Sequence, residues 1–303
     1  MAEPVAAARL STAVDARLRP AGLPRLGRAL VGETVGTFLL VLFGTGSVAA
    51  AVLTGAQVGL WQVAVVWGFG VALAIYCTAA ASGAHLNPAV SLAFALWRPA
   101  GFPWRRLAPY WLAQLGGAVL AGCAVAALFG PFIGRFEAAK GIVRGAPGSE
   151  LSAMVFGEYF PNPALFGTDA AARALVSPLQ AALVEGFGTV VLVFVIFALT
   201  DPGNRAAPTA HLVPFFVGFT VAALISLFAP LTQAGWNPAR DLGPRLVALA
   251  LGWGAVALPG PAGGFWAYVA GPLLGGPLGA GLYHLLLAGG APPPGQPDST
   301  AGE

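Results

Sequence analysis

The chain has 303 residues, 57% of them hydrophobic and only 9% charged, with a formal net charge of +3. Soluble domains carry roughly 25% charged residues, so this chain has too little charge to cover a water-facing surface of its size. A soluble fold is excluded. The basic pI near 9.2 is not a nucleic-acid signature either, because the basic residues sit at the ends of apolar blocks, as membrane orientation requires.

In chain order, residues 1–27 hold no long apolar run and no cleavage site and read as a basic cytoplasmic arm rather than a signal peptide. Apolar blocks of about 20 residues, the length that crosses a bilayer core, then predict six spans near 28–53, 60–81, 105–130, 177–200, 209–230 and 264–287. Two shorter apolar segments, 88–97 and 238–251, follow an asparagine and begin with proline. Asparagine is a good N-cap and proline fits the first helical position, so each reads as a half-helix that enters the membrane partway. Such backbone is tolerated only against protein or a wet cavity. The segment 131–176 reads as an outside loop with balanced charge, and residues 288–303 as a Pro/Gly-rich disordered tail. Cys77 and Cys123 lie in apolar blocks and read as small buried packing residues. The histidines, His85, His211 and His284, lack metal-ligand spacing, and no metal or cofactor is expected.

Two landmarks recur at one period. Asn87-Pro88-Ala89 and Asn237-Pro238-Ala239 lie 150 residues apart, and Glu33-Thr-Val-Gly-Thr and Glu185-Gly-Phe-Gly-Thr lie 152 apart. This spacing indicates an internal duplication, with repeat one near 28–130 and repeat two near 177–287. Three spans per repeat is an odd number, so the second repeat is inverted, a plan common among membrane transport proteins. The two half-helices then enter from opposite faces and their N-terminal tips meet near the midplane. Arg9, Arg17, Arg19, Arg25, Arg28, Arg98, Arg105, Arg106 and Arg205, nine of fifteen basic residues, fall on one side and place the N-terminus inside. The third spans are rich in glycine (Gly116, Gly117, Gly122; Gly271, Gly275, Gly279), which suits close helix packing. A further Asn162-Pro163-Ala164 falls off the period in a polar stretch and reads as a loop turn.

The chemistry concentrates before the half-helices. In Ser82-Gly83-Ala84-His85-Leu86-Asn87 an extended chain would turn successive carbonyls to a passage, and Gly235-Trp236 before Asn237 would do the same. If each asparagine caps its helix through its oxygen, its NH₂ stays free to donate into the passage. Two such donors, backed by the positive ends of two helices, disfavour cations and still admit neutral hydroxyl-bearing solutes. Arg240, three residues past Asn237, reads as a positive donor fork that narrows the pore, because charge is rare in membranes. Arg98 and Arg245 read as interfacial anchors. Glu33 and Glu185 read as acceptors for otherwise unpaired loop N–H groups rather than as proton relays, and His85 fits either a gate or a packed ring. No nucleophile–base pair or phosphate loop stands out, so an enzyme is not expected.

Over about residues 28–287 these motifs resemble the major intrinsic protein family, the aquaporins and glycerol facilitators. The resemblance rests on Ser82-Gly-Ala-His-Leu-Asn-Pro-Ala-Val90 and Asn237-Pro-Ala-Arg-Asp241 at matched spacing. It implies an all-α, aquaporin-like fold: six transmembrane helices and two re-entrant half-helices in inverted repeats. It also implies homotetramers with one pore per subunit and passive flow of neutral solutes without protons. Asp241, Gly141-Ile-Val-Arg-Gly145, Tyr159-Phe-Pro-Asn-Pro163 and Trp67 are similar to the glycerol-conducting branch, in which an indole facing Arg240 forms an amphipathic slot. The implied filter is Trp67, Ile225, Ala234 and Arg240; its Ile225 and Ala234 depart from that branch and, with Tyr268-Val269, resemble plant nodulin-26-like pores.

The expectation is therefore a channel for glycerol, other small neutral solutes and some water, lying in the lipid of the cell membrane, the cytoplasmic membrane of a prokaryote if the alanine- and arginine-rich usage is a guide. A water-selective, urea, ammonia or metalloid-acid pore is the alternative within the class. A coupled secondary transporter is the alternative outside it, with Glu33 and Glu185 as the only coupling groups on offer; a non-conducting junctional protein has less in its favour.

Overall fold

The computed structural model describes residues 25–288; the basic arm up to residue 24 and the tail from residue 289 lie outside them. Eight helices carry the architecture: α1 Arg25–Ala49, α2 Leu60–Ser82, α3 Pro88–Trp97, α4 Leu107–Lys140, α5 Pro178–Leu199, α6 Val213–Thr232, α7 Pro238–Ala248 and α8 Ala267–Leu286. No strand occurs among the described residues. Among the described residues five helices are long and apolar enough to cross a membrane, or six if the bent pair Pro238–Ala257 and Pro261–Leu286, which meet at 106°, is counted as one span. Large apolar side chains such as Leu112, Leu183, Leu227 and Leu274 are exposed on the outer surface, the face a bilayer solvates.

The two repeats interlock. Within each, the first span packs on the third, α1 on α4 and α5 on α8; across them, α2 packs on α6, while α3 packs on α8 and α7 on α4. Each half-helix thus leans on the third span of the other repeat, so neither half is a self-sufficient unit. At the α2–α6 crossing, Gly68 and Gly218 face each other, and a Cβ on either would lie 2.6 or 2.2 Å from the other's carbonyl oxygen. These positions are 150 residues apart, and their mutual contact marks the pseudo-twofold axis. Gly36 and Gly188, 152 apart, likewise make room for Leu86 and Trp236, the residues preceding the two asparagines. The glycines of the third spans pack closely, except Gly116, Gly130 and Gly134, which meet nothing within 4 Å.

Two expectations change here. The third span does not stop before Pro131: α4 continues through it to Lys140 and ends at Gly141, whose φ of 64° takes the left-handed cap. Proline breaks a helix by removing one N–H and crowding one carbonyl, a local cost that the continuing α4 absorbs. Cys77 and Cys123 are exposed on the outer faces of α2 and α4 rather than buried. Apolar context in a membrane helix does not separate core from lipid, since both are apolar. Asn162 opens a loop turn as expected, the single helical turn Pro163–Phe166, and it is buried: its Oδ1 caps Ala164 N at 3.0 Å and its Nδ2 donates to Ala229 O at 3.1 Å.

Candidate functional site

A cavity of about 140 Å³ lies in the centre of the molecule. It is lined at mid-depth by Gly83, Ala84, His85, Leu86 and Asn87 from one repeat and by Ala234, Gly235, Trp236, Asn237 and Arg240 from the other. The half-helix tips meet there. Asn87 caps α3 through Ala89 N at 2.8 Å, and Asn237 caps α7 through Ala239 N at 3.1 Å and Arg240 N at 3.2 Å. The side-chain nitrogens cross over: Asn87 Nδ2 donates to Trp236 O at 2.9 Å and Asn237 Nδ2 to Leu86 O at 2.8 Å. The expectation of a wholly free NH₂ is thereby halved. One hydrogen of each amide staples the opposing loop, and one remains.

The loops before the caps are not extended, as the sequence alone suggested. Gly83, Ala84 and Leu86 have φ of 88°, 51° and 53°, and Gln233, Ala234 and Trp236 have 60°, 68° and 49°. A left-handed residue costs an L-amino acid roughly 1–2 kcal/mol, so this backbone needs outside support. Two buried carboxylates supply it. Glu33 accepts from His85 N at 3.0 Å and Leu86 N at 2.8 Å, while Glu185 accepts from Gly235 N at 3.0 Å and Trp236 N at 2.6 Å. Gln114 Nε2 adds to Glu33 at 2.8 Å and the Thr232 hydroxyl to Glu185 at 2.6 Å. Tyrosines from the third spans close the pattern: Tyr110 donates to Ser82 O and Tyr268 to Thr232 O. His85 packs against Phe94, Phe102 and Tyr110, with its Nδ1 3.2 Å from Ser91 Oγ.

Trp67, Ile225, Ala234 and Arg240 all line the same cavity. Trp67 and Ile225 also line a second cavity, of about 210 Å³, reaching Gln57, Met154 and Gln233; they form the septum between the two. The slot expected between indole and guanidinium is filled, because Arg240 Cζ lies 4.2 Å from the Trp67 ring centroid. A cation–π contact is worth about 0.5–2 kcal/mol, little enough for a passing solute to displace.

Glu158, Gln233, Gln114 and Ser91 were not identified from sequence. Glu158, in the α4–α5 loop, pairs with Arg240 Nη2. Its N–H donates to Asp241 Oδ1 at 2.7 Å, and its carbonyl accepts from Arg245 Nη2. Arg245 is not an interfacial anchor: it is 1% exposed, with Nε 2.7 Å from Asp241 Oδ2 and Nη1 2.9 Å from Ala257 O. Asp241 therefore ties loop and half-helix together. Gln233 Oε1 accepts from Tyr159 N at 2.9 Å and fixes the same loop. At the other end of the cavity Arg98 stays partly exposed; it donates to Thr200 Oγ1 at 2.7 Å and Phe197 O at 3.0 Å and so closes the end of α5. Beyond it, in the α5–α6 loop, the Gly203 N–H and the Tyr283 hydroxyl hold the Asp201 carboxyl below its ordinary range.

Comparison with known proteins bears on this geometry. The family model described as Major intrinsic protein matches residues 23–283. The chain is 44% identical over 267 residues to the glycerol uptake facilitator protein of Pseudomonas aeruginosa, covering 88% of this chain and 90% of that protein. It is 39% identical to the propanediol uptake facilitator PduF of Citrobacter freundii, covering 86% and 93%. Among solved structures, the X-ray structure of the aquaglyceroporin from Plasmodium falciparum aligns with a TM-score of 0.72 at 26% identity, covering 86% of this chain and 96% of that one. A cavity between two asparagine-capped half-helices accompanies a family match over residues 23–283, and the chain belongs to the major intrinsic protein family.

Proposed function

We propose that the chain is a passive channel for glycerol and similar small neutral solutes, with some water, that excludes ions and protons. The observation that carries this is the meeting of two half-helix N-termini at one cavity, each with its asparagine stapled to the opposite loop. Two positive helix ends repel cations. Relatives named as glycerol and propanediol uptake facilitators support a small polyol as solute.

In this reading Trp67, Ile225, Ala234 and Arg240 form the selectivity filter, and the backbone of Gly83, Ala84, His85, Leu86, Gly235 and Trp236 supplies acceptors along the path. Glu33 and Glu185 are scaffolds; their oxygens are engaged by loop N–H groups, which leaves neither of the two poised for ion coupling. The unit, about residues 28–287, works as a homotetramer in the cytoplasmic membrane with its N-terminus inside, and carries out no chemistry on its solute.

Stopped-flow light scattering on proteoliposomes tests this. Shrinkage under sucrose and re-swelling under glycerol are both expected to be fast, with low activation energy. Neither exceeding bare lipid would end the channel reading; fast shrinkage without glycerol entry would leave a water pore closed to polyols by Ile225.

A further inference from the structure

The Arg240 guanidinium is already occupied on two sides. The Trp67 ring covers its face, and a Glu158 carboxylate oxygen takes Nη2. The two side chains are 4% and 2% exposed, yet Arg240 Nη1 and Glu158 Oε2 find no partner in the protein. Buried polar groups nearly always have partners, so an orphaned donor on a cavity wall is a place for a solute oxygen. Glu158 itself is not on that wall. It comes from behind, in a narrow gap shared with Tyr159, Phe160, Arg245 and Tyr268. Its main chain is fixed at both ends, by Asp241 and by Arg245.

A buried guanidinium is a natural receptor for planar oxyanions, because its parallel N–H groups match two oxygens of a carboxylate or nitrate. Such a site in a pore would trap anions. We propose that Glu158 is a positioning residue acting as a built-in anion: it occupies half of the Arg240 fork and cancels its charge, so that planar oxyanions find no site and neutral solutes meet a single donor. The charge balance of the cluster agrees. Arg240 and Arg245 are offset by Glu158 and Asp241, joined in two buried ion pairs. Loss of Glu158 alone leaves one cation uncompensated on the cavity wall. The proposal rests on the channel reading above, with Arg240 facing the conducting path.

The test is glycerol re-swelling of proteoliposomes in sodium nitrate against sodium chloride at equal osmolarity, for the wild-type protein and Glu158→Gln. The wild type is expected to be insensitive to nitrate. Glu158→Gln is expected to be slowed about tenfold by nitrate, the scale of one charge-assisted hydrogen bond, and to regain insensitivity when Arg240→Gln is added. A merely structural role would alter the rate or the yield without creating nitrate sensitivity. Should Glu158→Gln fail to assemble, Glu158→Asp, which keeps the charge at shorter reach, is expected to show intermediate sensitivity. Nitrate block of the wild type, or a conducting Glu158→Gln or Glu158→Asp channel as insensitive as wild type, overturns the proposal. A wild-type protein that passes no glycerol defeats the channel reading instead.

Discussion

Replacing Glu185 with alanine removes the support of one whole re-entrant loop. Gly235 N and Trp236 N, at 3.0 and 2.6 Å from its oxygens, would lose their acceptor, as would the Thr232 hydroxyl at 2.6 Å. Glu185 is fully buried, so water does not readily replace it. An orphaned buried N–H costs about 2 kcal/mol, and two of them about 4 kcal/mol. At this chain length that lowers the melting temperature by roughly 6 °C. The same loop carries Ala234 and Trp236 at left-handed φ, a conformation that relaxes once its acceptor is gone, so glycerol flux falls with stability. Glu33→Ala should behave alike, because His85 N and Leu86 N depend on it in the same way. Glu185→Gln, with one acceptor oxygen left, should lose about half as much. Melting of the detergent-purified variants, followed by tryptophan fluorescence, and stopped-flow glycerol flux read both effects. A Glu185→Ala protein that melts within about 2 °C of wild type, with flux either intact or selectively abolished, would refute the scaffold argument. The second of those outcomes would restore a transport role for the carboxylate.

Asp241→Ala leaves Arg245 uncompensated and Glu158 N unpaired; breaking a buried ion pair costs about 3–5 kcal/mol, to be seen as a lower melting temperature and lost glycerol flux. Gly218→Val would set a branched side chain where even a Cβ lies 2.2 Å from Gly68 O. It should part α2 from α6 and abolish recovery of a monodisperse protein, as judged by size-exclusion chromatography. Ala234→Phe, on the cavity wall, should reduce permeation of bulky solutes more than water in the same light-scattering assay. An equal effect on all solutes would mean that Ala234 does not touch the path.

The sequence exposed what duplication and periodicity encode. The 150-residue spacing of Asn87 and Asn237 located both half-helices, and the matching glutamates pointed to the groups that hold their loops. Backbone curvature was hidden: Ala84, Leu86 and Trp236 are left-handed without being glycine, so no residue type announced the turns. The ionic cluster was hidden for another reason. Glu158 lies 83 residues before Asp241 in a segment whose charges look evenly balanced, and only the fold brings it to Arg240. Gln114 offered a weak cue, as a lone amide within the apolar third span. Asn162 shows why the triplet by itself misleads. All three Asn-Pro-Ala units cap the N–H two residues on, at 2.8, 3.1 and 3.0 Å, so the motif encodes a helix start, and location decides what that start does.

The duplication also explains why the proposed filter lies at one end only. Shifting its members by 150 residues gives Val217 for Trp67, Ile75 for Ile225, Ala84 for Ala234 and Val90 for Arg240, and all four partners line the same cavity. The fold therefore offers the same four wall positions twice, once near each mouth, and only one set carries an indole and a cation. The difference lies in what stands behind the wall. Behind Arg240 are Glu158 and the Asp241–Arg245 pair. Behind Val90 stands Ser91, the counterpart of Asp241, whose hydroxyl accepts from Gln114 and contacts His85. An arginine at position 90 would have no counter-charge arranged for it, and a lone buried charge costs several kcal/mol. The loop between α4 and α5, which belongs to neither repeat, brings the carboxylate that lets a symmetric scaffold hold a cation at one end.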